Sequence, residues 1–521
     1  MFSDTKLRVI SLYQNSPSEL WKAYALKFLD SYSYFSLSLI FTLFVSHDFG
    51  LSDLEAGTLY GLWGACITVY GLLTGWMVDR LGVSASLKLG FLTSLLSRIG
   101  IFLTTSKFWL YVYLLGPLPF ANCLGIPVLT IGVRRYTQEE TRGFAFGLFY
   151  VVMNVAALLS GPAVDFCTIA WGKGEKDEAA LNDRDITGTS FSSWKLSGYR
   201  LVILTGIVSN LVAVLITLTV REIKVLPSSQ MPPPPSDDDM DMNVDHIMDD
   251  DNNPYQSSNP PSTLSTKSTG EFESFTPIKS SAWVVFQDTI CKKRFWRFLA
   301  VCFITLNVRM IFRHLDATWP KYMVREFGDS VPKGTLYSIN PAMIIVLVPI
   351  VTAATSKYDP LLMIHHGSYI SSLSVFSLVL STTIWSSSIF VILLSLGEAV
   401  WSPRLYDYTM SICPEGKEGT YMALGAAPLF LAKLPVGMMS GWLLEKYCPE
   451  EGERHSQTMW LIIGLMTLSS PVCMTIFWKY ISYKDPPDVD DNRDGVEMES
   501  HGTLARSSKS AVLYTEVKTD E

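Results

Sequence analysis

Two apolar segments of the chain carry stripes of ionisable and polar side chains that could do chemistry inside a membrane. The spacing places each stripe on one face of a helix, with Lys27, Asp30, Tyr34 and Ser38 on one, and Arg309, Arg313 and Asp316 on the other. An ionisable side chain at membrane depth costs about 2.5–3.5 kcal/mol on insertion scales, so such residues normally face a cavity or a charged partner. We therefore expect the two stripes to border one polar cavity between two halves of the molecule.

The residue types in these stripes suit the binding of a solute and the carriage of a proton. Guanidinium groups bind carboxylates or phosphates through two parallel hydrogen bonds, and a carboxylate in the cavity can take up and release a proton. The candidate substrate-binding residues are Tyr34, Asn122, Asn154, Arg309, Arg313, Trp401 and Lys433. The candidate proton-coupling residues are Asp30, Asp316 and Glu398. Structural ion pairs for the charged residues, and packing or interfacial roles for the aromatic ones, are the alternatives.

Bases at membrane depth outnumber acids in this pattern, which favours a solute with a negative group. The bases are Lys27, Arg98, Arg309, Arg313 and Lys433, and the acids are Asp30, Asp316 and Glu398. An amino acid, a peptide or another organic anion fits this balance.

The elements that must position these residues are membrane-spanning helices. Of the 521 residues 48% are hydrophobic and only 17% charged, against about 25% charged in soluble domains. A bilayer core needs about 20 apolar residues per helix. Twelve such spans are predicted, near 23–45, 57–78, 86–104, 109–133, 143–166, 199–220, 296–318, 335–355, 361–382, 386–411, 418–442 and 457–480. This composition excludes a soluble enzyme, and the net charge of −8 without a basic domain excludes a nucleic-acid binder.

A polar gap divides the spans into two groups of six. It contains four consecutive prolines and an Asp-rich tract, and has too little apolar surface to fold alone. The predicted domains are a cytosolic segment at 1–22, a six-helix bundle at 23–224, a disordered cytosolic linker at 225–290, a second six-helix bundle at 291–482, and a disordered cytosolic tail at 483–521.

The bias of Lys and Arg among the short loops places both termini in the cytosol. Residues 1–20 lack the apolar core of a cleavable signal peptide, so we expect the first span to be retained. The chain is expected to be an integral multi-pass protein of the plasma membrane or of an organelle membrane.

A short pattern of two glycines, tryptophan, an acid and a base recurs in the two halves. The second span ends in G-L-L-T-G-W-M-V-D-R at 71–80, and the eleventh ends in G-M-M-S-G-W-L-L-E-K at 437–446. Glycines four residues apart let two membrane helices approach closely. By the predicted topology the two copies end on opposite sides of the membrane, as inverted repeats predict.

The second-span copy continues into G-W-M-V-D-R-L-G at 75–82, which resembles the loop motif of the major facilitator superfamily. The layout of six plus six spans around a long middle loop is similar to that family as well. The resemblance implies an all-α polytopic membrane protein with twelve transmembrane helices in two six-helix bundles. It also implies that Gly75, Asp79, Arg80 and Gly82 act in conformational gating.

Three further segments resemble the proton-dependent oligopeptide transporter branch of that superfamily. They are F-Y-V-V-M-N at 149–154, G-E-A-V-W-S-P at 397–403 and K-F-L-D-S-Y-S-Y-F at 27–35. In that branch the glutamate equivalent to Glu398 lies in the substrate cavity. Lys27, Asp30 and Ser31 stand where the branch has Glu, Glu and Arg.

Together these features predict a secondary active transporter that moves a small polar, anionic or zwitterionic solute by alternating access, driven by protons. The chain lacks a nucleotide-binding P-loop and the sequence motifs of membrane metalloproteases. We expect no catalytic residue, no metal and no cofactor. The expected partners are a small-molecule solute, protons or another coupling ion, and the lipid bilayer, with no nucleic acid and a monomeric chain. A membrane receptor or scaffold of transporter shape, without net transport, is the alternative.

Overall fold

The computed structural model describes residues 16–137, 139–170, 196–222, 293–355, 357–412 and 432–482, and every regular element in these ranges is helical. The linker predicted at 225–290 and the tail predicted at 483–521 lie outside these ranges, as do residues 1–15 of the predicted N-terminal segment.

Six helices and one π-helical turn make up the described part of the first half. They are α1 (Ser18–Phe49), α2 (Asp53–Leu103), α3 (Lys107–Leu115), α4 (Pro117–Tyr136), α5 (Glu139–Asp165) with the π-helical turn Phe166–Ala170, and α6 (Gly198–Thr219).

The described part of the second half contains eleven helices, because several predicted spans are interrupted. They are α7 (Lys293–Ile304), α8 (Leu306–Ala317), α9 (Trp319–Phe327), α10 (Lys333–Tyr337), α11 (Ile339–Ala354), α12 (Pro360–Ser374), α13 (Phe376–Leu380), α14 (Ile384–Ile412), α15 (Lys433–Tyr447), α16 (Ser456–Ile476) and α17 (Trp478–Ile481).

Local sequence signals explain where the first two helices end and begin. Gly50 has φ 60°, which a residue without Cβ adopts easily, and it ends α1. Ser52 and Glu55 then form a reciprocal capping box at the start of α2. Gly82, with φ 80°, divides the 51-residue α2 into two arms. The arms correspond to the predicted second and third spans.

Nine helical segments in the described ranges are long and apolar enough to cross a membrane. They match the first, third, fourth, fifth, sixth, seventh, eighth, tenth and twelfth predicted spans. The second span is the first arm of α2, the ninth is divided between α12 and α13, and the eleventh lies partly outside the described residues.

The two halves approach each other most closely through small residues near one end of the molecule. We call this the gate end, defined by the loop Gly50–Ser52, and the opposite end, near Gly82, the linker end. A Cβ atom on Gly61 would lie 2.9 Å from the carbonyl oxygen of Leu434. Gly57 likewise faces Gly437 and Gly441 backbone to backbone. The eleventh-span glycines therefore make the close approach that their spacing predicts, against the first arm of α2.

Candidate functional site

A polar cluster lies between the two halves, inside the helical bundle. We call it the central cluster. It combines side chains of α1 and α2 with side chains of α8, α10 and α15, namely Tyr34, Tyr60, Arg313, Asp316, Tyr337 and Lys433.

Asp316 is the acceptor on which three side chains converge. Arg313 lies one helical turn earlier on α8 and forms a salt bridge of 3.1 Å with Oδ2. Tyr60, from the first half, donates to the same oxygen at 3.2 Å. Tyr337 of α10 donates to Oδ1 at 3.3 Å. The carboxylate charge is thus neutralised within one helix, and a tyrosine hydroxyl links it to the other half.

Lys433 enters the cluster from the start of α15 and is fully buried. Its ammonium donates a hydrogen bond of 2.7 Å to the hydroxyl oxygen of Tyr34. The same nitrogen lies 3.9 Å from the ring centroid of Trp63, 4.9 Å from that of Tyr60 and 5.0 Å from that of Tyr34. A cation from the second half is therefore held by three aromatic rings of the first half.

Glu398 lies beside the central cluster on α14. Its carboxylate accepts a hydrogen bond of 2.9 Å from the side-chain amide of Asn340, which also donates to Ser395 at 3.0 Å. The carboxylate interacts electrostatically with Arg313. Glu398 and Asn340 are only partly buried, although each lies within a helix.

Several members of this region are only partly buried. Arg313 keeps 14% of its side-chain surface exposed, while its partner Asp316 keeps 7%. Tyr34, Asn340 and Glu398 are also partly exposed. These partly exposed side chains come from four helices of the two halves, namely α1, α8, α11 and α14.

Arg309 and Trp401 form a neighbouring pair one turn from Arg313. The guanidinium carbon of Arg309 lies 5.8 Å from the Trp401 ring centroid. The indole N–H of Trp401 donates to the hydroxyl oxygen of Ser371 at 3.1 Å, which fixes the ring. A flat cation on an indole face is a favourable arrangement.

The polar residues of α1 lie in two separate clusters. Tyr34 belongs to the central cluster, but Asp30 interacts electrostatically with Lys27 and Arg98 within the first half. All three of these charged residues are buried. The carboxylate of Asp30 faces Gly125 of α4, and the ammonium of Lys27 lies 5.0 Å from the Phe149 ring centroid.

The two predicted asparagines are buried in α4 and α5 of the first half. Asn154 donates its side-chain amide to the carbonyl of Tyr150 on its own helix at 2.9 Å. The amide nitrogen of Asn122 has no hydrogen-bond partner among the described residues. Within the described ranges neither asparagine forms a hydrogen bond to the central cluster.

Ion pairs between the two halves close the gate end. Asp53 at the start of α2 accepts from Lys321 at 2.7 Å, and from both terminal guanidinium nitrogens of Arg325 at 2.8 Å. Lys321 also donates to Ser46 of α1 at 2.6 Å. Burial raises the pKa of the Asp53 carboxyl, but the hydrogen bonds from Arg325 and the charge of Lys321 outweigh burial and hold that pKa below its ordinary value of 3.8.

A second contact of the gate end joins α5 to α10. The Asp165 carboxylate accepts from the backbone N–H groups of Gly334 at 2.7 Å and Thr335 at 2.6 Å. Lys333 donates to Thr168 in the π-helical turn at 3.2 Å. Ser338 donates to the Leu158 carbonyl at 2.9 Å. This side of the gate is therefore closed by hydrogen bonds to backbone groups.

The predicted gating motif lies at the linker end, at the joint between the arms of α2. The carboxylate of Glu222 accepts from the backbone N–H groups of Val83 at 3.1 Å and Ser84 at 2.7 Å, and from Arg135 at 3.1 Å. Gly82 allows this approach, since its Cα faces the same carboxylate. Arg80 is exposed. Gly75 lies within α2, and the side chain of Asp79 lies outside the described part of the structure.

Sequence reasoning missed several members of the site, above all Tyr60, Trp63, Tyr337 and Asn340. Tyr60 and Trp63 are one helical turn apart beside three glycines at 57, 61 and 64, and this pairing of aromatic and small residues is a signal that the sequence contains. Asp53 was missed because it reads as an ordinary acidic residue in the first turn of a helix. Within the described ranges no group of three or more His, Cys, Asp and Glu side chains is placed to hold a metal ion.

Comparisons with known proteins agree on one fold. The family model of the Major Facilitator Superfamily matches residues 23–432. A crystal structure of a POT family transporter in complex with 5-aminolevulinic acid superposes with a TM-score of 0.63 at 13% identity, covering 90% of this chain and 97% of that chain. A POT family transporter in complex with a thioalcohol-conjugated peptide gives 0.63 at 15% identity, covering 90% and 97%.

A crystal structure of the nucleoside transporter NupG gives a TM-score of 0.62 at 11% identity, covering 88% of this chain and 100% of that chain. No curated protein sequence matches this chain. At such identities the likeness concerns the fold, and it confirms the prediction of an all-α polytopic membrane protein of the major facilitator fold. Because the family model matches most of its length, this chain belongs to the major facilitator superfamily.

Proposed function

We propose that the protein is a secondary active transporter that moves a small zwitterionic or anionic solute through the central cluster by alternating access, coupled to protons. The observation that carries this proposal is the central cluster itself. Charged side chains of the second half meet tyrosines of the first half inside the helical bundle. Transporters of this architecture bind their solutes at such an interface between two bundles.

The distribution of contacts between the halves supports alternating access. Among the described residues, the hydrogen bonds that join the two halves lie in the central cluster or toward the gate end, for example Thr42 to the Ala317 carbonyl at 3.1 Å. A solute in the central cluster is thereby screened from the gate end. The transport cycle then requires that the Asp53 ion pairs open while the bundles close at the linker end.

The charges around the central cluster favour a solute with both an acidic and a basic group. The guanidinium of Arg313, whose Nε has no hydrogen-bond partner among the described residues, can bind a carboxylate of the solute. Glu398 and the amide oxygen of Asn340 add acceptors and a negative charge to this region, which favours a basic group on the solute. The POT family neighbours support this choice, because 5-aminolevulinic acid carries an amino and a carboxyl group. The similar fold of a nucleoside transporter shows that the fold alone does not set the solute.

Glu398 is the carboxylate best suited to carry the coupling proton. Asp316 is committed to a salt bridge and two tyrosine hydrogen bonds. Glu398 instead accepts from the neutral amide of Asn340, is partly exposed, and forms no ion pair with a described residue. It can therefore gain or lose a proton without breaking a salt bridge.

The test is uptake of radiolabelled 5-aminolevulinic acid, and of amino acids, dipeptides and organic acids that stabilise the purified protein in a thermal-shift screen, into proteoliposomes under an imposed pH gradient. Glu398→Gln should abolish gradient-driven accumulation but retain exchange of preloaded solute. Glu445→Gln, at an exposed carboxylate of α15, is the matched control and should accumulate solute normally.

Two outcomes would overturn parts of the proposal. Unchanged accumulation by Glu398→Gln removes Glu398 from proton coupling. Solute that stabilises the wild-type protein but never crosses a sealed vesicle, with or without a gradient, contradicts transport and favours a receptor of transporter shape.

A further inference from the structure

The aromatic rings around Lys433 form a box that is complete without the lysine. Trp63 stacks on Phe41 with ring centroids 5.3 Å apart and planes 4° from parallel. Tyr60 packs edge-on against Phe41 at 5.6 Å, and Tyr34 lies 5.5 Å from Trp63. All of these rings belong to α1 and the first arm of α2, so the first half holds the box in place by itself. We call Tyr34, Tyr60 and Trp63 the aromatic box.

The occupant of the aromatic box comes from the other half of the molecule. Lys433 reaches it from α15 past Gly64, whose missing side chain leaves room for the lysine stem. Its ammonium forms one hydrogen bond, to Tyr34, and no salt bridge with a described residue. Three aromatic faces with a cation within about 5 Å are the arrangement that proteins use to bind ammonium ligands.

We propose that the aromatic box is the binding site for the ammonium group of the transported solute, and that Lys433 occupies it as an intramolecular competitor when the solute is absent. The proposal rests on the proposed transport function, and it narrows the solute to one with a primary or methylated ammonium group. Lys433 also links α15 of the second half to α1 and α2 of the first half. Arrival of the solute ammonium releases this link.

The surroundings can accommodate the displaced lysine. Lys433 already interacts electrostatically with Asp316, whose carboxylate lies beside the box and accepts from Tyr60. The solute ammonium adds a positive charge to the central cluster, and a shift of the Lys433 ammonium away from Arg313 and toward the Asp316 carboxylate would partly offset that charge. The indole N–H of Trp63 has no hydrogen-bond partner among the described residues, so an acceptor group of the solute would satisfy a donor that is buried in this state.

The experiment measures binding of tetramethylammonium to the purified full-length protein in nanodiscs by titration calorimetry at constant ionic strength. This probe has no hydrogen-bond donor, so its binding depends on contact with aromatic faces and on charge, and the Trp63→Leu variant below assigns that binding to the aromatic box. Lys433→Met removes the competitor and should bind tetramethylammonium at least tenfold more tightly than the wild-type protein. Lys433→Gln should do the same, and serves if the methionine variant does not fold.

Lys446→Met is the matched control, because Lys446 is an exposed lysine of the same helix that lies 5.1 Å and 5.3 Å from the ring centroids of Trp442 and Tyr447. It should bind tetramethylammonium as the wild-type protein does. Adding Trp63→Leu to Lys433→Met should abolish the gained binding. Equal affinity in the wild-type and Lys433→Met proteins, or tight binding that survives Trp63→Leu, overturns the proposal.

This experiment separates the aromatic box from transport itself. If the proposal for the aromatic box is wrong, tetramethylammonium does not bind to the Lys433→Met protein, but the wild-type protein still takes up solute under a pH gradient. If the transport proposal is wrong, no solute crosses the vesicle membrane, but the Lys433→Met protein still binds tetramethylammonium more tightly than the wild-type protein does.

Discussion

The gate end and the central cluster connect the same two bundles with different chemistry. At the gate end, Asp53 of one bundle pairs directly with Lys321 and Arg325 of the other. In the central cluster the ion pair of Arg313 and Asp316 lies within a single helix, and tyrosine hydroxyls link the bundles. The contrast indicates a division of labour. We propose that ion pairs across the gate hold one conformation, while the hydrogen bonds to tyrosine hydroxyls in the centre can be exchanged for a solute without breaking an ion pair between the bundles.

The largest effect is expected from breaking the ion pair inside the central cluster. Arg313→Met leaves the Asp316 carboxylate buried with only tyrosine donors, and removing one partner of a buried pair costs about 3–5 kcal/mol. Solute uptake into proteoliposomes should fall by about two orders of magnitude or more. Uptake near the wild-type rate would contradict the placement of Arg313 at the transport site.

A smaller effect is expected from breaking the gate. Asp53→Asn leaves Lys321 and Arg325 without their shared carboxylate, so the gate-closed conformation loses population. Hydrogen exchange of backbone amides in the first turns of α2 and in α9 should accelerate by about tenfold, because opening becomes more frequent. Glu453→Gln, at an exposed carboxylate in the second half, is the control and should exchange as the wild type does. If Asp53→Asn also matches the wild type, the gate ion pairs do not hold the conformation.

The same gate should respond to acid in a defined direction. The pKa of Asp53 is lowered in the folded protein, so its contribution is fully present above about pH 4 and is lost as pH falls through the lowered pKa. The difference in hydrogen exchange between wild type and Asp53→Asn should therefore be constant from pH 8 to about pH 5 and disappear below the folded pKa. A difference that disappears near neutral pH would assign the gate to another titrating group.

The smallest effect is expected from removing single hydrogen bonds to Asp316, one donated from the other bundle by Tyr60 and one donated within the same bundle by Tyr337. Tyr60→Phe and Tyr337→Phe each remove one hydrogen bond to Asp316, worth about 1 kcal/mol. Both should lower the midpoint of thermal unfolding by similar amounts. Only Tyr60→Phe should also accelerate exchange at the gate end, because only Tyr60 lies in the other bundle. Equal gate exchange in the two variants would show that the central cluster does not couple to the gate.

The membrane helices and the charged members of the site could be predicted from the sequence for physical reasons. Charged residues such as Arg313 and Glu398 are costly in an apolar span, so their presence alone indicates an interior polar site. The aromatic box could not be predicted in this way. Tyr60 and Trp63 are compatible with packing, with the interface or with a cavity, and only the position of Lys433 from a distant helix distinguishes these roles.

Helical spacing alone also could not predict that the polar residues of α1 belong to two separate clusters. Lys27 and Tyr34 share a face, but seven residues of helix separate them by about 10 Å along the axis. They consequently contact different helices, with Lys27 near Phe149 of α5 and Tyr34 near Lys433 of α15. The gate residue Asp53 depends likewise on Lys321 and Arg325, which follow it by more than 260 positions and meet it only in the folded chain.

The most direct test of alternating access around the central cluster is the distance across the gate end. Spin labels at Ser106 and Glu451, exposed positions in the first and second halves, would be attached in a background without native cysteines. Pulsed electron–electron double resonance should give one short distance between the two labels in the resting protein. A second, longer distance should appear, and its population should rise in the Asp53→Asn variant and on addition of a transported solute. A single distance that neither the variant nor the solute changes would contradict the account.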